Sequence, residues 1–148
     1  MSYTIQTEKK LTLSEIQHIS ESNSKLILSD KVKQDILKCR DYLDKKMASQ
    51  KTPIYGINTG FGSLCNVIIP DNELELLQEN LVKSHACGMG EEVPLEIVRL
   101  MLLLKIQSLS YGKSAVQLQT VERLVDFYNH NIYPIVYTQG SLGASGDL

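Results

Sequence analysis

Between Pro94 and Gly112 the chain carries Leu95, Ile97, Val98, Leu100, Met101, Leu102, Leu103, Leu104, Ile106 and Leu109. So many apolar residues cannot share one stripe; they cover almost every face of a helix. A helix of that kind is buried on all sides or spans a membrane. Arg99 and Lys105 interrupt the run, which falls short of the ~20 apolar residues a span requires. We read it as a core helix, opened by Pro94 in its first turn and stopped near Tyr111 by Gly112. The other helices are amphipathic and too few to enclose it, which points to partner subunits or further sequence as the rest of its cover.

Those other helices follow from capping and periodicity. Thr12-Leu13-Ser14-Glu15 fits a capping box and opens a short helix to about Ser20. Leu26-Ile27-Leu28 is a brief extended stretch, and Ser29 is an N-cap candidate. Val32, Ile36, Cys39, Leu43 and Met47 then recur at three- and four-residue spacing, which predicts a helix over 30–48. After Pro70 and Asp71, Leu74, Leu77 and Leu81 stripe a helix ending near Ser84. Ser114 is taken as the cap of a last helix to about Asn129, striped by Leu118, Val121, Leu124, Val125 and Tyr128. Pro134 begins an extended apolar run. The fold class is therefore all-α, mainly helical with a few short extended segments, and the 148 residues read as a single domain.

Charge excludes some functions. With 43 % hydrophobic residues, 22 % charged residues and a formal net charge of -2, nothing calls for nucleic acid or an anionic membrane. The basic residues from Lys31 to Lys51 are mixed with acids and read as a solvated helix face. Met1 to Lys10 lacks the apolar core of a signal peptide. Cys39, Cys65 and Cys87 are odd in number and lack metal-ligand spacing, so no metal site is expected. Reduced thiols in a cytoplasmic protein are the simpler reading. A catalytic role for Cys87, two residues from His85, is the lesser alternative.

Two glycine-rich loops carry the chemistry. The first is Tyr55-Gly56-Ile57-Asn58-Thr59-Gly60-Phe61-Gly62, and the second is Gly140-Ser141-Leu142-Gly143-Ala144-Ser145-Gly146-Asp147-Leu148. In the second, attack of the Gly146 amide nitrogen on the Ala144 carbonyl carbon would close a five-membered ring. Loss of water from the ring and from the Ser145 side chain would leave a methylidene-imidazolone, a strong electrophile. Glycine permits the close approach, serine supplies a leaving hydroxyl, and alanine leaves the carbonyl uncrowded. Alone, the tripeptide reads as an ordinary flexible loop.

The two loops, with Ser84-His85-Ala86-Cys87-Gly88 between them, closely resemble the signatures of the aromatic amino-acid ammonia-lyase and aminomutase family. The likeness runs from about Leu11 to the last residue, with the motifs in the family's order. It implies the amino-terminal part of the aspartase/fumarase-like ammonia-lyase fold, with the later helical parts absent. It also implies a prosthetic group formed autocatalytically from Ala144, Ser145 and Gly146, with no external cofactor. Asp147 matches the residue that assists cyclisation, and Tyr55 matches the base that takes the substrate's β-proton. A tyrosine of ordinary pKa, about 10, must be tuned by its surroundings for that task. Without the resemblance, Tyr55 would read as a packed loop residue.

Ser84 and His85 match substrate-contacting positions, and Gly62 is grouped with them. Ser-His at this pair resembles the histidine-specific members, which implies conversion of histidine to urocanate and ammonia, the first step of histidine degradation. Tyrosine or phenylalanine lyases and aminomutases are the alternative, and a His85 that only caps its helix is the structural one. His18 and His130 match nothing and are placed on the surface. The chain departs from the family at Ile68, where many relatives carry a cation, and at Lys105-Ile106-Gln107 in place of Arg-x-Asn. Family members are several times longer and assemble as homotetramers with shared active sites. The 148-residue chain alone is thus expected to be inactive, with an open Ala-Ser-Gly backbone. A non-catalytic fragment or assembly module is the reading from another class.

Overall fold

Thr12 opens the first helix as the capping pattern predicts. In the computed structural model, which describes residues 1–49 and 52–140, α1 spans Leu13–Glu21. The Glu15 amide donates to Thr12 Oγ1 at 3.2 Å, and the Thr12 amide donates to Glu15 Oε2 at 2.8 Å. The Thr12 side-chain and backbone hydrogen bonds hold the Glu15 carboxyl below its usual pKa. Because the folded value is depressed, this contribution is present above the ordinary glutamate range and is lost as pH falls through the folded value. Titration followed by NMR should therefore show the Glu15 carboxyl and the residue 12 amide shifting together in acid, and Thr12→Val, which removes the hydroxyl and keeps the backbone donor, should move the Glu15 carboxyl back toward its usual range. Independent titration of the two groups would contradict the box.

The described residues divide into two compact units. The first comprises Met1–Ala48 and Val93–Ile135; the second comprises Ser49–Glu92 and the chain from Val136 onward. Of the chain after Val136, the described residues end at Gly140. In the first unit, β1 (Ser2–Ile5) and β2 (Lys25–Leu28) pair in parallel, Ser2 opposite Lys25 and Ile5 opposite Leu28, with α1 as the crossover. Leu26 and Leu28 face inward while Ile27 is exposed, the period-two alternation of a half-buried strand. β1 is absent from the sequence reading, because Ser-Tyr-Thr-Ile offers only Ile5 as a clear apolar anchor. Helix α2 (Asp30–Ser49) starts where Ser29 predicts, its Oγ accepting from the Val32 amide at 3.3 Å. Val32 and Ile36 are buried, whereas Cys39, Leu43 and Met47 of the same stripe are half-buried. Ion pairs Lys31–Asp35, Arg40–Asp44 and Asp41–Lys45 line its solvated face, as the charge mixture implies.

Helices α4 (Leu95–Ser110) and α5 (Leu118–Asn129) complete this unit. One core joins Ile5, Ile19, Leu26, Leu28, Val32, Ile36, Leu103, Ile106, Val121, Val125 and Tyr128. The Asn129 carboxamide accepts from the Leu26 amide at 2.7 Å and donates to the Leu26 carbonyl at 2.9 Å, serving β2 as a neighbouring strand would. The start of α5 corrects the sequence reading. Gln117, not Ser114, occupies the cap position, and Ala115 has φ +55°, which is incompatible with a continuing helix. Helix α4 is only partly enclosed, as the few amphipathic helices around it imply. Val98, Leu103 and Ile106 are buried, but Leu95 is 60 % exposed, Ile97 47 %, Met101 48 % and Leu104 42 %. Among the described residues the helix is thus covered on one face, not on all sides.

The second unit is built differently. It contains α3 (Leu74–His85) and the antiparallel pair β3 (Met89–Glu92) and β4 (Tyr137–Gln139), Met89 opposite Gln139 and Glu92 opposite Tyr137. Among its described residues the buried side chains are polar, Asn58 and Thr59, while Leu76 and Val82 of α3 are exposed. Gly88 and Gly90 read from sequence as chain breaks; the structure shows that they admit β4. A Cβ on Gly88 would lie 2.6 Å from the Tyr137 ring, too close for any other residue unless that ring or its strand shifts. No described helix is long and apolar enough to cross a membrane.

Candidate active site

Tyr55 sits on a tight turn between Ile54 and Asn58. The Ile57 and Asn58 amides both donate to the Ile54 carbonyl, at 3.0 and 3.2 Å. Gly56, at φ +74°, supplies the left-handed residue this turn requires. The Asn58 side chain closes the turn from within: Oδ1 accepts from the Ile54 amide at 2.7 Å and Nδ2 donates to the Thr52 carbonyl at 3.3 Å. Beyond the turn the chain doubles back. The Ile69 amide donates to Asn58 O at 2.9 Å, the Gly60 amide donates to Val67 O at 3.1 Å, and Thr59 bridges Ile68.

The Tyr55 ring is 63 % exposed and meets the Phe61 ring edge-on, with centroids 5.9 Å apart and planes at 71°. Gly62 begins a 3₁₀ turn to Leu64 at φ +57°, and no atom lies within 4 Å of where its Cβ would stand. Ile68, one of the departures noted in the sequence, takes part in the bridge to Thr59.

Ser84 and His85 close α3. Ser84 Oγ donates to the Leu81 carbonyl at 3.0 Å, and His85 Nδ1 lies 2.9 Å from both Leu81 O and Ser84 Oγ. Because Leu81 O is an acceptor only, a proton on Nδ1 serves that contact. The last turn of α3 thus orients the imidazole, and this is also the helix-end contact of the structural reading. Cys87 is exposed.

Tyr55, Gly62, Ser84 and His85 all belong to the second unit. Pairing of β3 with β4 joins Met89–Glu92 to Tyr137–Gln139 within the same unit. Ala144, Ser145, Gly146 and Asp147 lie outside the described residues. His18 and His130 are exposed, as read from sequence. A cleft of about 390 Å³ in the first unit, bordered by Leu95, Arg99 and Tyr133, includes none of the residues singled out. The described residues contain no cluster of three or more metal-ligating side chains.

Asn58 is the residue the sequence reading overlooked. Its signal was present: an asparagine between glycines, three residues after a tyrosine, can bond its own backbone in place of a regular turn.

Residues 11–148 match the family described as aromatic amino acid lyase. The chain belongs to that family. Histidine ammonia-lyase 2 of Fusobacterium nucleatum is 46 % identical over 138 residues, 93 % of this chain and 27 % of that protein. Histidine ammonia-lyase of Symbiobacterium thermophilum is 42 % identical with the same coverage. The family likeness extends to structure. Phenylalanine aminomutase of Pantoea agglomerans superposes with a TM-score of 0.87 at 31 % identity, covering 95 % of this chain and 27 % of that one. Histidine ammonia-lyase of Trypanosoma cruzi gives 0.76 at 34 % identity, covering 88 % and 25 %. The chain spans about a quarter of the length of these relatives, and its mainly helical fold is theirs.

Proposed function

We propose that this chain is the amino-terminal segment of a histidine ammonia-lyase, which in its full-length form converts L-histidine to urocanate and ammonia. The single observation that carries the reading is Ser84-His85 held at the end of α3, in a family segment whose named relatives are histidine ammonia-lyases at 39–46 % identity. The chemistry of Ala144-Ser145-Gly146 fits a methylidene-imidazolone: a glycine amide to attack, an uncrowded carbonyl and a hydroxyl to expel. When formed, that group supplies an electrophile for the substrate's amine.

The chain's own residues do the rest. Tyr55 takes the β-proton of the substrate, and the Ile54–Asn58 turn presents it with most of its ring accessible. His85 and Ser84 meet the substrate imidazole at the end of α3, where a ring nitrogen and a hydroxyl complement its donor and acceptor nitrogens. Gly62 leaves its neighbourhood open for the ligand, and Asp147 moves protons during ring closure. The full-length protein acts in the cytoplasm as a homotetramer, and the 148-residue chain by itself is inactive.

A second reading has one observation in its favour. The phenylalanine aminomutase structure superposes with the higher TM-score, 0.87 against 0.76 for the trypanosomal histidine enzyme. Phenylalanine or tyrosine would then replace histidine. Product analysis of the full-length enzyme with histidine, tyrosine and phenylalanine separates the two. Urocanate is the expected product, and turnover of phenylalanine or tyrosine without turnover of histidine would overturn the assignment.

Intact mass spectrometry addresses the electrophile directly. The full-length protein should weigh less than its sequence by two waters, localised by digestion to the Ser145 peptide, whereas the 148-residue chain should show the unmodified mass. An unmodified Ser145 peptide in active full-length enzyme would reject the prosthetic group.

A further inference from the structure

We infer that Asn58 is a positioning residue for Tyr55, its buried carboxamide fixing the turn that holds the phenol against the substrate. The inference rests on the reading of Tyr55 as the base. In the second unit the buried side chains among the described residues are polar rather than apolar. Asn58 is only 5 % exposed, and its two ends meet complementary partners. The Ile54 amide can only donate, so it takes Oδ1; the Thr52 carbonyl can only accept, so it takes the amino group. These two demands fix the orientation of the carboxamide. The 2.7 Å bond to Ile54 is short and lies directly before Tyr55 in the chain.

The same residue reaches both sides of the loop. Through its carbonyl, which accepts from Ile69, Asn58 joins the Tyr55 turn to the doubled-back segment that carries Phe61. The tyrosine is thereby located twice, by its backbone through Asn58 and by its ring through Phe61. Among the described residues no buried apolar side chain of this unit backs the loop, so loss of the carboxamide leaves the part-buried Ile54 amide and Thr52 carbonyl without the partner that ties them together. The loop then relaxes toward water and the phenol moves with it. Ser84 and His85 lie on α3, and Gly62 is held by the Cys65 amide on its carbonyl at 3.2 Å, so none of the substrate contacts is bonded to the carboxamide.

A displaced base therefore lowers the chemical step and spares binding. In the full-length enzyme, Asn58→Ala should reduce kcat by about 10²-fold, the cost of misplacing a reacting group by roughly 1 Å, with KM little changed. The isotope effect on a β-deuterated substrate should rise, and exchange of the Ile54 amide should accelerate. Made in a Tyr55→Phe background, Asn58→Ala should add no further loss, since a residue acting through Tyr55 has nothing left to position. Asn58→Asp gives an independent arm. Its carboxylate keeps the acceptor for Ile54 but opposes the Thr52 carbonyl, whereas its protonated form restores the donor. Activity of Asn58→Asp relative to the parent enzyme should thus climb as pH falls.

If Asn58→Ala does not fold, the pH profile of Asn58→Asp decides, and a flat ratio overturns the inference. Additive losses in the double variant, or a raised KM with unchanged kcat, overturn it as well. A Tyr55→Phe enzyme of full activity would instead remove the base reading itself. Loss in Tyr55→Phe with none in Asn58→Ala would reject the positioning role alone.

Discussion

Tyr55→Phe in the full-length lyase is expected to lower kcat by about 10²–10⁴-fold, the range associated with a positioned proton acceptor. Stability should hardly move. The Tyr55 ring is 63 % exposed and its contact with Phe61 is edge-on between aromatic faces, which phenylalanine preserves. The substitution removes the hydroxyl and nothing that holds the loop, because the turn is closed by Asn58 and by backbone bonds from Ile57 and Asn58 to Ile54. Steady-state kinetics with histidine, paired with thermal melting, tests the claim. A variant that melts normally and turns over at the parent rate would exclude Tyr55 as the base. One that loses activity and melts early would make the loss structural.

The helices were legible because periodicity and capping are local. Thr12 and Glu15 announce α1, and the Val121-Val125-Tyr128 stripe of α5 is the face that enters the core. The start of α5 was not legible, because Ser114 is as good a cap in sequence as Gln117 is a poor one. The positive φ at Ala115 that decides between them is not signalled by its residue type, since alanine is not among the residues that favour that region. Strands β1 and β3 escaped for a related reason: each is four residues long and defined by its partner, Leu26–Leu28 or Tyr137–Gln139, more than by its own composition. The glycines at 88 and 90 were recognised as breaks, but what they admit, the Tyr137 ring and Thr138, lies far along the chain.

The candidate site was legible as motifs and not as geometry. Tyr55, Ser84 and His85 were named from the resemblance, whereas Asn58 became visible only when its carboxamide was seen between Thr52 and Ile54. A side chain that acts on backbone groups four and six residues away leaves no periodic signature. Its effect is a shape, and shape is what a pattern of apolar positions does not encode.

The apolar helix α4 yields the second large effect, on stability. Ile106 is fully buried in the core shared by both strands and three other helices, while Met101, one turn and a fraction earlier, is 48 % exposed. Ile106→Ala in the 148-residue chain should cost about 2–5 kcal/mol, from lost transfer energy and the cavity left behind. That is a large share of the stability a chain of this size has, about 5–15 kcal/mol. Met101→Ser should stay within about 0.5 kcal/mol, since it empties no cavity. Hydrophobicity is similar at the two positions, so composition alone predicts similar costs; only the one-sided burial of α4 separates them. Urea denaturation of both variants at low protein concentration measures the difference. Equal destabilisation would mean that the Ile97-Met101-Leu104 face is covered in the isolated chain by self-association, and dilution would then abolish the cost at Met101 while leaving that at Ile106 intact.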